Sequence, residues 1–334
     1  MALHHPPLDG AGTRGERFVN VVTSAPDGNA FAHPAFFYRD DDEYLRGVVP
    51  FILGGRDADE PVAVAVPAPR LEQLRGAVRR AAGPDGAPVT WIDMSEAGRN
   101  PGRIIPGVLR AFADRHSRDR VRIVGEPVWP GRSPAEYPAC LQHEALINLA
   151  FEGRRATIVC PYDVAGLDRE ILADARATHP VVVDHAGEHP SSEYAPARVL
   201  RLCNRPLPER PDIEATSFDH ARIPEVRELA CRRGAALGLG RVRAGDLELA
   251  VNELAANSAL HGGGTGVLRI WSEDGHVVCE VRDAGLITDP LVGRRPAGLG
   301  TGGGRGVLMV NHLADLVRVH TGPEGTTVRV YMRL

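Results

Sequence analysis

From Ala32 to Ala177, strand-like apolar runs alternate with helix-like amphipathic ones, and few architectures accommodate such an order. Helix-like Asp42 to Leu53 precedes the apolar run Val62 to Val66, then helix-like Leu71 to Ala82 and strand-like Val89 to Ile92. A helix around Ile104 to His116, a strand Val121 to Val124, a helix Ala139 to Phe151, a strand Ala156 to Cys160 and a helix near Asp168 to Ala177 continue the series. Strands separated by helices are joined by crossovers and lie side by side in parallel, so this segment reads as βαβ units in a largely parallel sheet.

The pattern then changes. Pro190, Pro196, Pro206, Pro208 and Pro211 fall in a stretch of little periodicity, which reads as a connector over residues 185–212. Beyond it come helices from about Pro224 to Leu237 and Ala244 to Leu260. A hairpin follows, Gly266 to Trp271 and His276 to Arg282, turned at Asp274-Gly275. An irregular Gly/Pro/Arg segment leads to a helix around Gly306 to Leu313. Two strands close the chain, Leu316 to His320 and Thr326 to Leu334, the last alternating Val328, Val330, Met332 and Leu334 on one face. The expected division is a mobile arm over 1–30, one domain over 31–184, the connector, and a mixed α/β sandwich over 213–334. With 334 residues, 43% of them hydrophobic, each domain has enough material for its own core.

Composition excludes several functions. The chain contains no lysine, so its 39 basic residues are all arginine. A P-loop nucleotidase, a kinase built on a β3 lysine and Schiff-base chemistry are therefore unavailable in their usual forms. A net charge of -4 argues against nucleic acid as a direct partner. Cys140, Cys160, Cys203, Cys231 and Cys279 are odd in number, widely spaced and without a CxxC pair. They read as reduced, buried thiols rather than as disulfides or a zinc site. No apolar run approaches the length of a membrane helix, and the start has no apolar signal core; a soluble cytoplasmic protein is expected.

Chemistry concentrates near the end. In ELAVNELAANSALHGGG, Leu247, Ala250, Val251 and Leu254 form an apolar stripe, with Glu253, Asn257 and His261 recurring every fourth residue along its edge. Asn257 offers a hard oxygen ligand and Glu253 can polarise a hydroxyl, a pairing suited to a magnesium ion and a nucleophile; it is equally the polar rim of an amphipathic helix. Asp283 ends a strand one residue before Gly285, where a planar base could approach the backbone, although Asp-x-Gly also marks ordinary turns. The GTGGGRG loop at Gly300 to Gly306 opens an apolar helix, so free N–H groups and Arg305 can face phosphate. Thr326, at the start of the last strand, could reach a phosphate oxygen or serve only as a strand residue.

The order and spacing of these segments resemble the N-box, G1 and G2 motifs of the GHKL superfamily. NELAANSALHGG, VRDAGLITDP, GGGRGVLMVNHLAD and GTTVRVYM are most similar to the serine-kinase anti-sigma factors. The resemblance implies a Bergerat α/β sandwich with a mixed sheet, binding ATP and Mg2+. It implies Glu253 as catalytic base, Asn257 as magnesium ligand, and Asp283 as partner of the adenine amino group. Gly285, Gly302, Gly304 and Gly306 would shape the base pocket and phosphate loop, with His261, Arg305 and Thr326 beside the nucleotide and a lid over Leu286 to Gly303. Its partners would be a sigma factor and a STAS-type antagonist phosphorylated on serine or threonine; a homodimer is compatible with it. A non-catalytic, partner-sequestering module and an atypical histidine kinase are the alternatives. The latter would need a phosphoacceptor such as His185 or His220, both in turn-like sequence.

Upstream, AHPAFFYRDDDEYLRGVVPFI, RVRIVGEPVW and ATIVCPYD resemble the MEDS sensory domain, a relative of RecA/KaiC-type folds. That implies a mostly parallel sheet with helices on both faces. Around Gly54 to Ala65, where such a relative would hold its phosphate loop, GGRDADEPVAVA lacks Gly-Lys-Ser/Thr. His33, Tyr38, Glu126, Trp129 and Tyr162 could line a small-molecule site, or serve as packing and turn residues.

Overall fold

The computed structural model describes residues 30–82, 88–296 and 304–334, so nearly all of the expected arm over 1–30 lies outside the described residues. In the N-terminal domain the strands are β1 (Pro34–Tyr38), β2 (Val62–Val66), β3 (Val89–Asp93), β4 (Val121–Gly125), β5 (Ala156–Asp163), β6 (Val181–Asp184) and β7 (Gly187–Pro190). They lie in the order β3-β2-β4-β5-β1-β6-β7, parallel throughout except for the terminal β6–β7 hairpin. The helices are α1 (Asp41–Asp57), α2 (Ala68–Ala82), α3 (Met94–Ala97), α4 (Arg110–Arg115), α5 (Tyr137–Ala150), α6 (Arg169–Thr178) and α7 (Pro196–Cys203). The helix expected over 104–116 begins as a π-helical stretch, Ile104–Leu109, and passes into α4.

Helices cover both faces of this sheet, and the strands show why. Successive strand residues point to opposite faces. On β1, Ala35 and Phe37 enter one core while Phe36 and Tyr38 enter the other; on β2, Ala63 and Ala65 face Leu109 and Phe112, and Val62, Val64 and Val66 face the core around Phe51 and Leu74. A strand buried on both sides must be apolar at every position, so VAVAV carries no alternation. Asp40 starts α1, its carboxylate accepting from the Glu43 N–H at 2.8 Å. The stretch Gly54 to Ala65, expected to stand where a phosphate loop would, is the end of α1 followed by β2. It runs from helix to strand, and so presents no helix N-terminus to an anion.

Glu126, just after β4, is 2% exposed and receives a long hydrogen bond, 3.5 Å, from the Tyr44 hydroxyl. Burial pushes its pKa up to about 8, against the opposing pull of the Arg70 charge. Because the folded-state value lies above that of an unfolded carboxyl, the native state holds a proton that the unfolded chain releases. The resulting stability is full below the unfolded pKa and fades as pH rises towards 8, with a limiting slope of about 1.4 kcal/mol per pH unit. Glu126→Gln should therefore match the parent in urea unfolding at pH 4.5 and exceed it by a few kcal/mol at pH 8.5; equal midpoints at both pH values would contradict this account.

The C-terminal domain comprises β8 (Thr216–Asp219), α8 (Ile223–Ala236), α9 (Arg241–His261), β9 (Thr265–Glu273), β10 (His276–Asp283), α10 (Arg305–Leu313), β11 (Leu316–Gly322) and β12 (Gly325–Arg333). Its sheet runs β11-β12-β10-β9-β8, with the three helices packed over one apolar face. This is the expected α/β sandwich, and among the described residues every pairing in its sheet is antiparallel, where a mixed sheet was expected. Two hairpins account for β9–β10 and β11–β12, and the helix pair α8–α9 returns the chain to the end of β8 that it left, so β9 runs back alongside. The opposite face is polar: Arg329 is 4% exposed, donates to Glu280 at 2.5 and 3.1 Å and to the Pro208 carbonyl at 2.8 Å, and lies over Trp271.

Within the segment read as connector, the first half is structured. It forms β7 and α7, and α7 buries Val199 and Cys203 against Ala145 of α5 and Ala177 of α6. Asn204, at the end of α7, exchanges hydrogen bonds with the Thr321 backbone at 2.8 and 2.9 Å and so joins the two domains. Among the described residues no helix is long and apolar enough to cross a membrane.

Candidate functional site

Helix α9 and strand β10 meet at Asp283. Ser258, fully buried on α9, donates to Asp283 Oδ2 at 2.6 Å, and the Gly285 N–H donates to Oδ1 at 2.9 Å. The carboxylate is thereby fixed in orientation while each oxygen keeps further acceptor capacity. The surrounding backbone comes close only because glycine occupies three positions. A Cβ on Gly262 would lie 2.5 Å from Asp283 Cγ, one on Gly285 2.7 Å from the His261 carbonyl, and one on Gly325 2.1 Å from the Asp283 carbonyl. Gly325 also has φ +114°. Gly325→Ala should thus lower stability by about 1–3 kcal/mol in urea unfolding; an unchanged midpoint would mean that this contact is soft.

Asp283 opens into a cavity of about 740 Å³. Leu254, Val281, Val307 and Val328 supply its apolar walls; Asn257, His261, Gly285, Arg305 and Thr326 also line it. Gly304, with φ +84°, turns the chain into α10, so the first N–H groups of that helix face the same space. A slot with apolar walls, a fixed carboxylate and a helix N-terminus suits a planar heteroaromatic ligand that carries an exocyclic N–H donor and an anionic tail.

The residues singled out in the sequence thus largely converge: Asn257, His261, Asp283, Gly285, Gly304, Arg305, Gly306 and Thr326 share this cavity. Gly302 lies outside the described residues. Glu253 does not line the cavity; it stands one turn before Asn257, beneath the start of α10. A Cβ on Gly306 would meet Glu253 Oε2 at 2.8 Å and Asn257 Nδ2 at 3.2 Å, so a side chain there would displace the Glu253 carboxylate. The Thr326 hydroxyl donates to the Gly285 carbonyl at 2.8 Å and bonds Thr321 Oγ1 at 2.8 Å, which in turn accepts from the Ile287 N–H. Thr326 shapes the turn after Asp283. Ser258, Thr321, Gly262 and Gly325 were not picked out in the sequence; Ser258 alone gave a signal, a small polar residue on the buried face of an amphipathic helix.

The cavity wall after Asp283 is tied to the N-terminal domain. Leu291 enters that domain's core. Arg294, 6% exposed, donates to the Pro101 carbonyl and to Gln142 Oε1, both at 3.1 Å; burial lowers its pKa to about 10. Asn311 of α10 donates to the Gly293 carbonyl at 3.1 Å, and its own carbonyl accepts from Asn100 at 2.8 Å. Of the residues expected to form a ligand site in the N-terminal domain, His33, Tyr38, Glu126 and Tyr162 are each at most 2% exposed, and Trp129 lies under the Arg132 guanidinium at 3.8 Å. Tyr38 and Tyr162 belong to cores on opposite faces of the sheet, so these residues do not line a single pocket.

Comparison with known proteins matches this division. Residues 32–180 match MEDS, the methanogen/methylotroph DcmR sensory domain, and residues 216–332 match the histidine kinase-like ATPase domain. The chain therefore carries a MEDS domain followed by a histidine kinase-like ATPase domain. Among solved structures, the RsbU and RsbW domains of Rv1364c from Mycobacterium tuberculosis are similar at 22% identity, with a TM-score of 0.28. That similarity covers 36% of this chain and 32% of the other, too slight to transfer fold or activity. No curated protein matches the chain.

Proposed function

We propose that this chain is a regulator of the anti-sigma-factor type, whose ATPase-like domain binds Mg-ATP and transfers the terminal phosphoryl group to a serine or threonine of a STAS-type antagonist. The convergence of Asp283, Asn257 and the start of α10 on one apolar cavity carries this reading. In it, the adenine amino group donates to Asp283 while Leu254, Val281 and Val328 enclose the ring, and Gly304 to Gly306 with Arg305 receive the phosphates. Asn257 lines the cavity and, with its carboxamide turned so that the oxygen faces the phosphates, suits magnesium, which would neutralise phosphate charge. Glu253 orients the incoming hydroxyl once α10 moves clear of it. His261 lies at the mouth of the cavity. A sigma factor binds the outside of the same domain.

The N-terminal domain would act on the lid. Leu291 and Arg294 anchor the segment after Asp283 in it, so a ligand that shifts this domain also shifts the cavity wall. One observation favours a second reading, a non-catalytic module that grips its partner when nucleotide binds: the packing of Glu253 beneath Gly306, away from the cavity. A histidine kinase is less well supported, since His185 sits in the β6–β7 turn and His220 in a single helical turn after β8.

The test is transfer from γ-labelled ATP by the full chain, offered STAS-type antagonists from its host. Acid-stable label on a partner's serine or threonine is expected. Bound ATP without transfer to any of them would support the gripping module, and acid-labile label on the chain itself would contradict both readings.

A further inference from the structure

We propose that the N-terminal domain holds a divalent metal ion, zinc by its chemistry, between His33, Glu144, Cys160 and His179. The four come from separate elements: His33 precedes β1, Glu144 lies on α5, Cys160 on β5, and His179 ends α6. Each is at most 1% exposed, and one donor atom from each lies within 4.8 Å of all the others. Glu144 Oε2 is 3.4 Å from His33 Nε2, 3.3 Å from His179 Nε2 and 3.7 Å from Cys160 Sγ, and Cys160 Sγ is 3.4 Å from His33 Nε2. Zinc bonds of about 2.0–2.3 Å set tetrahedron edges of roughly 3.3–3.8 Å, the range in which these four separations fall.

Hydrogen bonding on the far side of each ring decides what faces the centre. Asn148 donates its amide to the Thr178 carbonyl at 2.9 Å, which turns its oxygen towards His33 Nδ1 at 3.2 Å. His179 Nδ1 lies 2.8 Å from the Ala175 carbonyl. Both Nδ1 atoms must therefore carry the proton, and both neutral rings aim an Nε2 lone pair at the Glu144 carboxylate. The Cys160 thiol can donate to His33 Nε2 or to Glu144 Oε2, but His179 Nε2 faces the carboxylate lone pair to lone pair, and neither it nor Glu144 Oε1 has a hydrogen-bond partner. Two imidazolium ions in a dry core would be costly. A divalent cation resolves the conflict: with Cys160 giving up its thiol proton to solvent, two neutral imidazoles, a thiolate and a carboxylate sum with the ion to zero charge. Soft sulfur with imidazole and carboxylate selects zinc over calcium or magnesium, and four protein ligands leave no open position, which marks a structural site. The hydrogen bonds from Nδ1 to Asn148 and to the α6 carbonyl are the kind that orient such ligands. The ion would bind β1, β5, α5 and the α6–β6 junction into one unit, beneath the face that receives Leu291.

The probes are zinc and cobalt. The full chain purified without chelator should contain about one zinc per molecule by elemental analysis. After removal of zinc, cobalt should restore one equivalent with the intense visible bands of a tetrahedral site and a near-ultraviolet thiolate-to-cobalt band. Cys160→Ser should lose the thiolate band, Asn148→Ala should bind zinc about 10–100-fold more weakly, and Cys203→Ser, altering a buried thiol elsewhere, should match the parent. A folded parent chain that takes up neither metal would overturn the proposal, leaving a proton-sharing network in its place; so would a cobalt spectrum unchanged in Cys160→Ser.

Discussion

Glu253→Gln is expected to bind ATP as the parent does and to transfer phosphate about two to four orders of magnitude more slowly, the usual contribution of a positioned acid–base group. Glutamine keeps the shape and the contact beneath Gly306 but cannot accept the hydroxyl proton. Because Glu253 does not line the cavity, affinity for ATP should change less than twofold by titration. Transfer at the parent rate in this variant would remove Glu253 from the mechanism. A parallel loss of binding and transfer would mean that Glu253 supports the seat of α10, not the chemistry.

The second large effect is at Asp283. Asp283→Ala should raise the dissociation constant for ATP at least a hundredfold, roughly 2.7 kcal/mol or more. The substitution removes the carboxylate that accepts from the adenine amino group in this account, and also strips an acceptor from Ser258 and from the Gly285 N–H. Ser258 retains its hydrogen bond to the Leu254 carbonyl at 3.1 Å, so the helix should survive and the fold can be checked by circular dichroism. Asp283→Asn separates recognition from support: an amide oxygen can still accept from adenine, but its NH2 opposes one of the two existing donors. It should lie between the parent and Asp283→Ala. GTP, which offers a carbonyl where adenine has its amino group, should compete poorly with the parent; competition equal to that of ATP would place the base elsewhere.

How far the sequence foretold this molecule depends on the range over which each signal acts. The parallel sheet was legible because strands buried on both faces are continuous apolar runs, such as VAVAV on β2. The residues converging at the cavity were legible because α9 brings Asn257 and His261 to one face and β10 ends at Asp283, both local consequences of helical and strand periodicity. What failed to show depended on contacts distant in sequence. The direction of β9 relative to β8 follows from the length of the intervening helix pair, and the commitment of Thr326 to Gly285 follows from a turn 41 residues away. The order within the connector arises because α7 finds Ala145 and Ala177, which no local pattern of prolines announces. Cys160 carries no spacing signal for a metal, since its companions lie 127, 16 and 19 residues away. Likewise, nothing local marks Leu291 and Arg294 as anchors; their roles exist only once the two domains meet.

The central claim is that the cavity beneath α10 is a nucleotide site. Calorimetric titration of the full chain with ATP in the presence of magnesium tests it most directly. One saturable site per chain is predicted, displaced by ADP and lost in Asp283→Ala. A folded chain that gives no binding signal up to millimolar ATP, or binds it equally well without the Asp283 carboxylate, would contradict the assignment.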